Sequence, residues 1–295
     1  MGGGKMKNIV FHKLGMEKYA GGKDKNSGLY EYNLILKELE KIDEQVKDET
    51  LIVLNGTASK EEKEKVETMI ENSHIAGAKA IYIVTDEVAF EDIEFVNKFD
   101  VVLHQAWRYK FANINCEQDY SYVPELFYTG EIENSKYKSD LLLFCGNDTG
   151  RQDKIKDYLR DDKGCKPNTF SLIKYKDGED ERIEHDEYLK LLRRFKYSLM
   201  ICRKSYRYNG WITARLIEAI DAWSLPVFDF EYDVNNAYRI SELVVTPECK
   251  RSGFMKVYLA FKNKEDKVTD ALIDMREKVE KRRKNFAKVI LKYAK

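Results

Sequence analysis

Short apolar runs alternate with amphipathic segments along most of this chain. In the first half, runs of the strand type cover Lys7–His12, Thr50–Leu54, Ala80–Val84 and Val101–His104. Apolar positions three and four apart predict helices between them, over Leu29–Ile42, from Ser59 onwards and around Val88–Val96. Strands that alternate with helices in this way are typical of an α/β protein with parallel sheets.

The same alternation starts again after a polar connector around Gly130 to Ser139. Runs of the strand type follow at Leu141–Cys145, Thr169–Tyr175, Tyr197–Cys202, Leu225–Phe230 and Leu243–Thr246. Helices are predicted at Gln152–Arg160, Asp186–Phe195, Trp211–Trp223 and Glu265–Leu291. A chain of 295 residues is long enough for two domains. We therefore expect an N-terminal domain over 1–135, a second domain over 136–265 and a final helical segment over 266–295.

Charge and cysteine content narrow the classes of protein to which the chain can belong. It has 51 basic and 51 acidic side chains, so its zero net charge gives no general attraction to nucleic acid or to anionic membranes. Any binding to DNA must then come from a local patch. The five cysteines show no paired spacing, which favours reduced and mostly buried thiols. No apolar run has the roughly 18 residues that a membrane helix needs, so we expect a soluble intracellular protein.

The predicted helix over Trp211–Trp223 contains the most specific pattern in the chain. Ile212, Leu216, Ile217 and Ile220 recur at helical spacing and should face a core. Arg215 and Glu218 lie three residues apart on a neighbouring face. An arginine fork suits a diphosphate and a carboxylate suits the hydroxyls of a ribose, but the same spacing also fits a surface ion pair.

Two further positions stand where parallel strands end, which is where open α/β sheets bind ligands. Asp86 follows the third strand directly after Thr85, and it could serve either as a general base or as the N-cap of the next helix. The four histidines are no better placed for the role of base. After the strand Leu141–Cys145, a turn from Gly146 to Arg151 opens a helix, where backbone amides and an arginine favour phosphate.

Two basic segments remain. The loop before Trp211 interleaves cations with aromatic rings at Lys204, Tyr206 and Arg207, a pattern that suits a nucleotide or DNA phosphates. The final helix has a basic run that includes Arg282 and Arg283. Each segment could equally be a solvated charged surface.

The run R-L-x-E-A-I followed by P-V resembles the donor-nucleotide segment of GT-B glycosyltransferases. More narrowly, the stretch from Ile201 to Asp233, the T-D after the third strand and the order of elements resemble the DNA β-glucosyltransferases of T-even bacteriophages. The resemblance implies an α/β GT-B fold with two Rossmann-like domains facing a cleft and a C-terminal helix that crosses back to the first domain. It also implies an inverting transfer of glucose, or another sugar, from a UDP-sugar to a 5-hydroxymethylpyrimidine in double-stranded phage DNA, inside the host cell, by a monomer.

The resemblance assigns roles to individual residues. Asp86 becomes the general base that deprotonates the acceptor. The nucleotide-sugar contacts become Arg151, Arg215 and Glu218, to which the turn pattern adds Gly146 and the pattern of cations and rings in the loop adds Tyr206 and Arg207. The DNA contacts are predicted from the charge pattern alone, at Lys204, Arg282 and Arg283. No D-x-D pattern occurs, so no metal ligand is predicted and Mg²⁺ or Mn²⁺ is expected only as an auxiliary to the diphosphate.

Two other functions stay open at the level of sequence. The same architecture could glycosylate a protein, a glycan or a small molecule, since the R-x-x-E pattern also resembles exostosin-type transferases and the net charge is zero. The chain could also be a binding module for a nucleotide or nucleic acid without catalysis. The first loop has no evident counterpart to the family's acidic sugar contact, and the loop before Trp211 is one residue longer, so the sugar and the acceptor are less well defined than the fold.

Overall fold

The structure is a computed structural model of the whole chain. It describes residues 6–15, 27–56, 58–85, 87–104, 113–119, 138–145, 151, 153–155, 170–172, 185–202, 206, 211–233, 237–245 and 253–294. Contacts divide the chain into two compact units. Unit 1 consists of Met1–Phe127 and Lys281–Lys295, and unit 2 consists of Tyr128–Glu280.

Unit 1 is built on five parallel strands with helices between them. The strands are β1 (Ile9–Lys13), β2 (Thr50–Leu54), β3 (Lys79–Ile83), β4 (Val101–Leu103) and β5 (Glu117–Asp119). The α-helices are α1 (Ser27–Ile42), α2 (Lys60–Ile75) and α3 (Ile93–Val96), with 3₁₀ turns at Asp43–Gln45 and Glu87–Glu91. The strands lie side by side in chain order, from β1 to β5.

Unit 2 contains a second parallel sheet. Its strands are β6 (Ser139–Cys145), β7 (Phe170–Leu172), β8 (Phe195–Met200), β9 (Leu225–Asp229) and β10 (Val244–Val245). Its helices are α4 (His185–Arg193), α5 (Ala214–Asp221), α6 (Gly253–Phe261) and the start of the long helix α7 (Glu265–Tyr293), with a 3₁₀ turn at Ser241–Leu243. The order in the sheet is β10-β9-β8-β6-β7, so the chain leaves β6 on one side for β7 and returns on the other side for β8.

Buried apolar strands explain why both sheets form. All residues of β2, β8 and β9 are buried, as expected for parallel strands covered on both faces. The four core positions predicted around α5 are confirmed, since Leu216, Ile217 and Ile220 of the helix are fully buried and Ile212, just before it, is 5% exposed. Burial of each such side chain stabilises the fold by about 1.5 to 3 kcal/mol.

Two predicted helices differ from the structure. The helix expected around Val88–Val96 is divided, because Asp92 has a non-helical backbone and its side chain accepts a hydrogen bond from Phe95 N at 3.1 Å, starting α3 afresh. The helix expected from Trp211 begins only at Ala214. Thr213 stays extended because its amide and its hydroxyl both bond to the Tyr232 hydroxyl, at 3.0 and 2.9 Å.

Two elements have no counterpart among the predicted ones. Strand β5 has the polar sequence E-Q-D, which carries no apolar pattern, and it forms because it pairs with β4. Helix α6 is a nearly continuous apolar run, whose length and composition do not separate a helix from a buried strand. Its buried residues Phe254, Val257 and Phe261 show the helical spacing once the neighbours are present.

The long helix α7 belongs to both compact units. The heptad-like spacing of its apolar residues predicts one buried side, and this side is buried at Leu272, Met275, Val279, Phe286 and Ile290, whereas Val289 is half-buried. At the C-terminal end, the Tyr293 hydroxyl lies 2.9 Å from Glu117 Oε1 and 2.7 Å from Asp119 Oδ2 and donates its single proton between them, so the end of the helix is bound to the edge strand β5. The roles that the sequence assigns to the two domains stay predictions.

The cysteines that the structure describes are in the reduced state that the sequence predicts. Cys116, Cys145 and Cys202 are free thiols, and the last two are buried, as predicted. Cys165 and Cys249 lie outside the described residues. Among the described helices, none combines the length and the apolar character that a membrane crossing requires.

We expect Gly56→Ala to lower the free energy of unfolding by about 2 kcal/mol. A Cβ atom at Gly56 would lie 2.0 Å from the backbone carbonyl oxygen of Leu14, which cannot rotate away as a side chain could. Urea titration would measure the change. Gly77→Ala is the matched control, because that glycine has φ +75° but nothing within 4 Å, so it tests backbone strain alone. A loss at Gly56 no larger than the loss at Gly77 would contradict the close approach.

Candidate functional site

The second sheet has a topological switch point between β6 and β8. Ligands of open α/β sheets bind outside the carboxyl ends of the strands at such a point. Arg151 lies six residues after the end of β6, and its Nη1 donates to the backbone carbonyl of Ile201 at 3.1 Å, directly after β8. The arginine is only 7% exposed. Its side chain therefore spans the switch point.

A second arginine lies against the same aromatic ring as Arg151. The guanidinium carbon of Arg151 is 5.9 Å from the centroid of the Phe144 ring, and that of Arg215 is 5.8 Å from it. Phe144 is buried near the end of β6 and Arg215 belongs to the first turn of α5. Two cations that share one ring repel each other, and an anion bound beside them would offset that repulsion.

Glu218 completes this group from the next turn of α5. The carboxylate is buried, with 6% exposure, and its charge helps to raise the pKa of Arg215, so the two residues are not the exposed surface pair that the spacing also allowed. Burial and then the charge of Glu218 raise the pKa of the Tyr188 hydroxyl well above its usual value. Burial raises the pKa of the Cys145 thiol to about 11. Burial lowers the pKa of Arg215, but Tyr188, Cys145 and Glu218 outweigh it, and the net pKa is raised.

Acidic groups at the end of β9 are already engaged by a lysine. Lys154 Nζ donates to Asp229 Oδ2 at 2.9 Å and also to the carboxylate of Glu231. The ammonium lies 5.6 Å from the centroid of the Phe230 ring. The buried charge of Asp229 is thereby compensated.

Tyr206 and Trp211 border the start of α5. The Trp211 amide donates to the Tyr206 carbonyl at 3.2 Å, and their ring centroids are 6.4 Å apart. Tyr206 is half-buried whereas Trp211 is buried. Of the two rings, Tyr206 therefore has surface left for a ligand.

Polar residues also collect where the strands of the first sheet end. Asn55, which follows β2, accepts through Oδ1 from the amide of Thr85 at 2.7 Å and from its hydroxyl at 2.8 Å. Lys13 ends β1, is buried, and donates from Nζ to the Asn55 carbonyl at 3.4 Å. His104 follows β4 and is fully buried, with Nε2 3.3 Å from Gln118 Oε1. These groups lie at the edge at which ligands of parallel sheets bind.

Burial lowers the pKa of His104 to about 4, although Gln118 and Asp119 raise it. The unfolded chain, with a pKa near 6.5, then binds a proton between pH 6.5 and pH 4 that the folded chain does not bind. The contribution of His104 to stability is therefore complete above pH 6.5 and is lost as the pH falls. We expect His104 to lower the free energy of unfolding by about 2 kcal/mol between pH 7.5 and pH 5.

Urea titrations at pH 7.5 and pH 5 would measure this dependence. The variant His104→Phe has no group that titrates there, so the difference between its two values should be about 2 kcal/mol smaller than that of the wild-type protein. His74→Gln is the control, because His74 is exposed and belongs to the same unit. Equal pH differences in the wild-type protein and in His104→Phe would contradict a neutral buried imidazole.

Several predicted site residues are not placed by the structure. Asp86, Gly146, Lys204 and Arg207 lie outside the described residues, so their roles stay predictions. Arg151, Arg215 and Glu218 come together at the second sheet, with Tyr206 near the start of the same helix. Arg282 and Arg283 are half-buried on α7, in the part that belongs to unit 1.

Some residues of these groups were not found from the sequence. Asn55 could have been recognised, because it follows the strand Thr50–Leu54 just as Thr85 and Asp86 follow the next strand. Phe144 and Tyr188 gave no such signal. Each is one apolar position among several on its element, and only the packing brings it to the arginines and the glutamate.

Comparison with known proteins gives likenesses only at the level of structure. No family model matches the chain, and no curated protein matches it in sequence. A T4 phage β-glucosyltransferase in complex with UDP and Mn²⁺ matches with a TM-score of 0.60 at 14% identity, over 97% of this chain and 99% of the other.

Two related structures give the same result. The DNA-modifying enzyme β-glucosyltransferase, studied with and without uridine diphosphoglucose, matches with a TM-score of 0.55 at 12% identity, over 97% of this chain and 99% of the other. A T4 phage β-glucosyltransferase in complex with UDP-glucose matches with a TM-score of 0.54 at 12% identity, over 95% of this chain and 96% of the other. The predicted α/β GT-B fold is thereby confirmed: along nearly its whole length, the chain has the fold of the T4 phage β-glucosyltransferase.

Proposed function

We propose that this protein is an inverting glycosyltransferase that moves a sugar from a UDP-sugar, with glucose as the first candidate, to the hydroxyl of a 5-hydroxymethylpyrimidine in double-stranded phage DNA. One observation carries the proposal: Arg151 and Arg215 share the ring of Phe144 at the switch point of the second sheet. Solved structures with the same fold contain UDP or UDP-glucose, and one of them contains Mn²⁺.

In the proposed donor site, the two arginines bind the diphosphate. A guanidinium can donate two parallel hydrogen bonds to phosphate oxygens, and in a partly buried site such bonds are about twice as strong as neutral ones. The buried carboxylate of Glu218 is assigned to the ribose hydroxyls, and Tyr206 with Arg207 to the nucleotide. Gly146 belongs to the turn that admits the phosphates. A divalent ion, Mg²⁺ or Mn²⁺, is proposed only as an auxiliary that accompanies the diphosphate.

In the proposed reaction, Asp86 is the general base. It takes the proton of the hydroxymethyl group while that oxygen forms a bond to C1 of the sugar. The bond between C1 and the phosphate oxygen breaks, and UDP leaves with the negative charge. Arg151 and Arg215 stabilise that developing charge, and attack from the side opposite the leaving group inverts the configuration at C1. A base-paired pyrimidine must leave the helix to reach such a site, at a cost of a few kcal/mol.

Contact with DNA is assigned to Lys204, Arg282 and Arg283. These cations would neutralise backbone phosphates without reading the sequence. Binding that depends on several phosphates weakens steeply as salt rises, whereas a small-molecule acceptor gives little dependence on salt. A steep salt dependence of the KM for DNA would thus support DNA as the acceptor.

The function is tested by nucleoside mass spectrometry. The protein is incubated with UDP-glucose and duplex DNA that contains 5-hydroxymethylcytosine or 5-hydroxymethyluracil, with unmodified duplex as the control. The expected result is a mass gain of one hexose on one of the modified bases and none on unmodified DNA. If neither base gains mass while UDP still stabilises the protein against heat, the protein uses another sugar or an acceptor other than DNA. No stabilisation by UDP would contradict the donor site itself.

A further inference from the structure

Asn55 has a fixed orientation at the edge of the first sheet. Its Oδ1 accepts hydrogen bonds from both the amide and the hydroxyl of Thr85, at 2.7 and 2.8 Å. A backbone amide can only donate, so the oxygen and the nitrogen of this side chain cannot be exchanged. The Nδ2 atom must therefore point away from Thr85.

The Nδ2 group is the part of Asn55 that remains for a ligand. The residue is 7% exposed, and among the described residues no acceptor is hydrogen-bonded to Nδ2. Nδ2 is not one of the described side-chain donors that are fully buried without a partner, so it is accessible at the edge of the sheet. An acceptor oxygen of a bound molecule can therefore accept a hydrogen bond from it.

The backbone around Asn55 is held firmly on both sides. The Asn55 amide donates to the Ile83 carbonyl at 2.9 Å, and Lys13 Nζ lies 3.4 Å from the Asn55 carbonyl. The next residue, Gly56, packs against the Leu14 carbonyl with no room for a Cβ atom. The backbone of Asn55 is therefore fixed at the end of β2, and its side chain in turn fixes Thr85 after the end of β3.

We propose that Asn55 is a positioning residue for the acceptor side of the reaction. It fixes Thr85, and hence the backbone from which Asp86 follows in the sequence, and its Nδ2 donates a hydrogen bond to the acceptor hydroxyl oxygen. The hydroxyl gives its proton to the base and accepts this bond through a lone pair, which orients the attacking oxygen. The inference rests on the proposed function, because it assumes transfer to a hydroxyl with Asp86 as the base.

Three variants separate the two contributions of Asn55. Asn55→Ala removes both the bonds to Thr85 and the donor. Asn55→Asp keeps an oxygen that accepts from Thr85 but removes the donor and adds a negative charge. Thr85→Val removes only the hydroxyl bond. Asn33→Ala, at an exposed asparagine of α1, is the matched control.

The expected results concern kcat, measured per protein molecule that binds UDP. We expect kcat to fall about 30-fold in Asn55→Ala, about tenfold in Asn55→Asp and about threefold in Thr85→Val, with the KM for UDP-glucose unchanged. The added carboxylate of Asn55→Asp should move the acidic limb of the kcat profile to higher pH, because a like charge raises the pKa of the base. Asn33→Ala should match the wild-type protein.

Hydrogen exchange of the Thr85 amide tests the positioning without any turnover. Protection should fall at least about tenfold in Asn55→Ala and stay near the wild-type value in Asn55→Asp. A purely structural role would lower the folded fraction but leave kcat per binding-competent molecule and its pH profile unchanged.

A kcat of Asn55→Ala within twofold of the wild-type value, together with lost protection of Thr85, would overturn the proposal. Failure of the wild-type protein to transfer any sugar would contradict the proposed function instead, and with it this role for Asn55. The two failures are distinguished by the wild-type reaction, which is run first.

Discussion

Asp86→Asn is expected to lower kcat for sugar transfer by about 10²- to 10⁴-fold, because an amide cannot accept the proton that the acceptor hydroxyl must lose. The affinity for UDP should stay within twofold of the wild-type value, since the proposed donor residues belong to the other sheet. The measurement is single-turnover transfer to modified duplex DNA, with UDP affinity from calorimetry on the same sample.

The control for this substitution is Asp48→Asn, an exposed aspartate of the same unit. It should transfer sugar at the wild-type rate. Transfer by Asp86→Asn at more than a tenth of the wild-type rate would remove Asp86 from the role of base. Loss of transfer together with loss of UDP binding would show that the substitution damages the fold.

Arg215→Met is expected to weaken UDP binding by more than about 100-fold. Charge-assisted hydrogen bonds contribute about 1.5 to 3 kcal/mol each, and the substitution removes the fork that donates them. Arg215→Lys keeps the charge but loses the planar fork, so we expect a loss of about tenfold for this variant. Calorimetry with UDP measures both affinities.

The matched control is Arg194→Met, at an exposed arginine of the same unit. Its affinity for UDP should equal that of the wild-type protein. Removal of Arg215 leaves the buried carboxylate of Glu218 without its cation, so the thermal midpoint of each variant must be measured as well. A folded Arg215→Met protein that binds UDP as tightly as the wild-type protein would exclude the guanidinium from the nucleotide site.

Helix α5 shows which features a local sequence pattern can predict and which it cannot. The spacing of Leu216, Ile217 and Ile220 predicted a helix with one buried face, and the structure confirms that face. The start of the helix was predicted three residues too early. The amide of Thr213 donates a hydrogen bond to the hydroxyl of Tyr232, which lies nineteen residues further along the chain. No local pattern contains that partner.

The candidate sites show the same division. The end of a predicted strand indicated Arg151, and the spacing on a predicted helix indicated Arg215 and Glu218, while their roles stay predictions. The shared ring of Phe144 and the orientation of Asn55 were not found, because each depends on a contact across strands that are distant in sequence.

Periodicity and the chemistry of single side chains were enough to predict the alternation of strands and helices, the buried faces and the residue types that can bind a diphosphate. The pairing of β6 with both β7 and β8, which sets the position of the switch point, is visible only in the folded chain. The same is true of the strand β5 and of the Nδ2 group that Asn55 has left for a ligand. Strand order and hydrogen-bond partners depend on long-range contacts, and their energies are not encoded in any single segment.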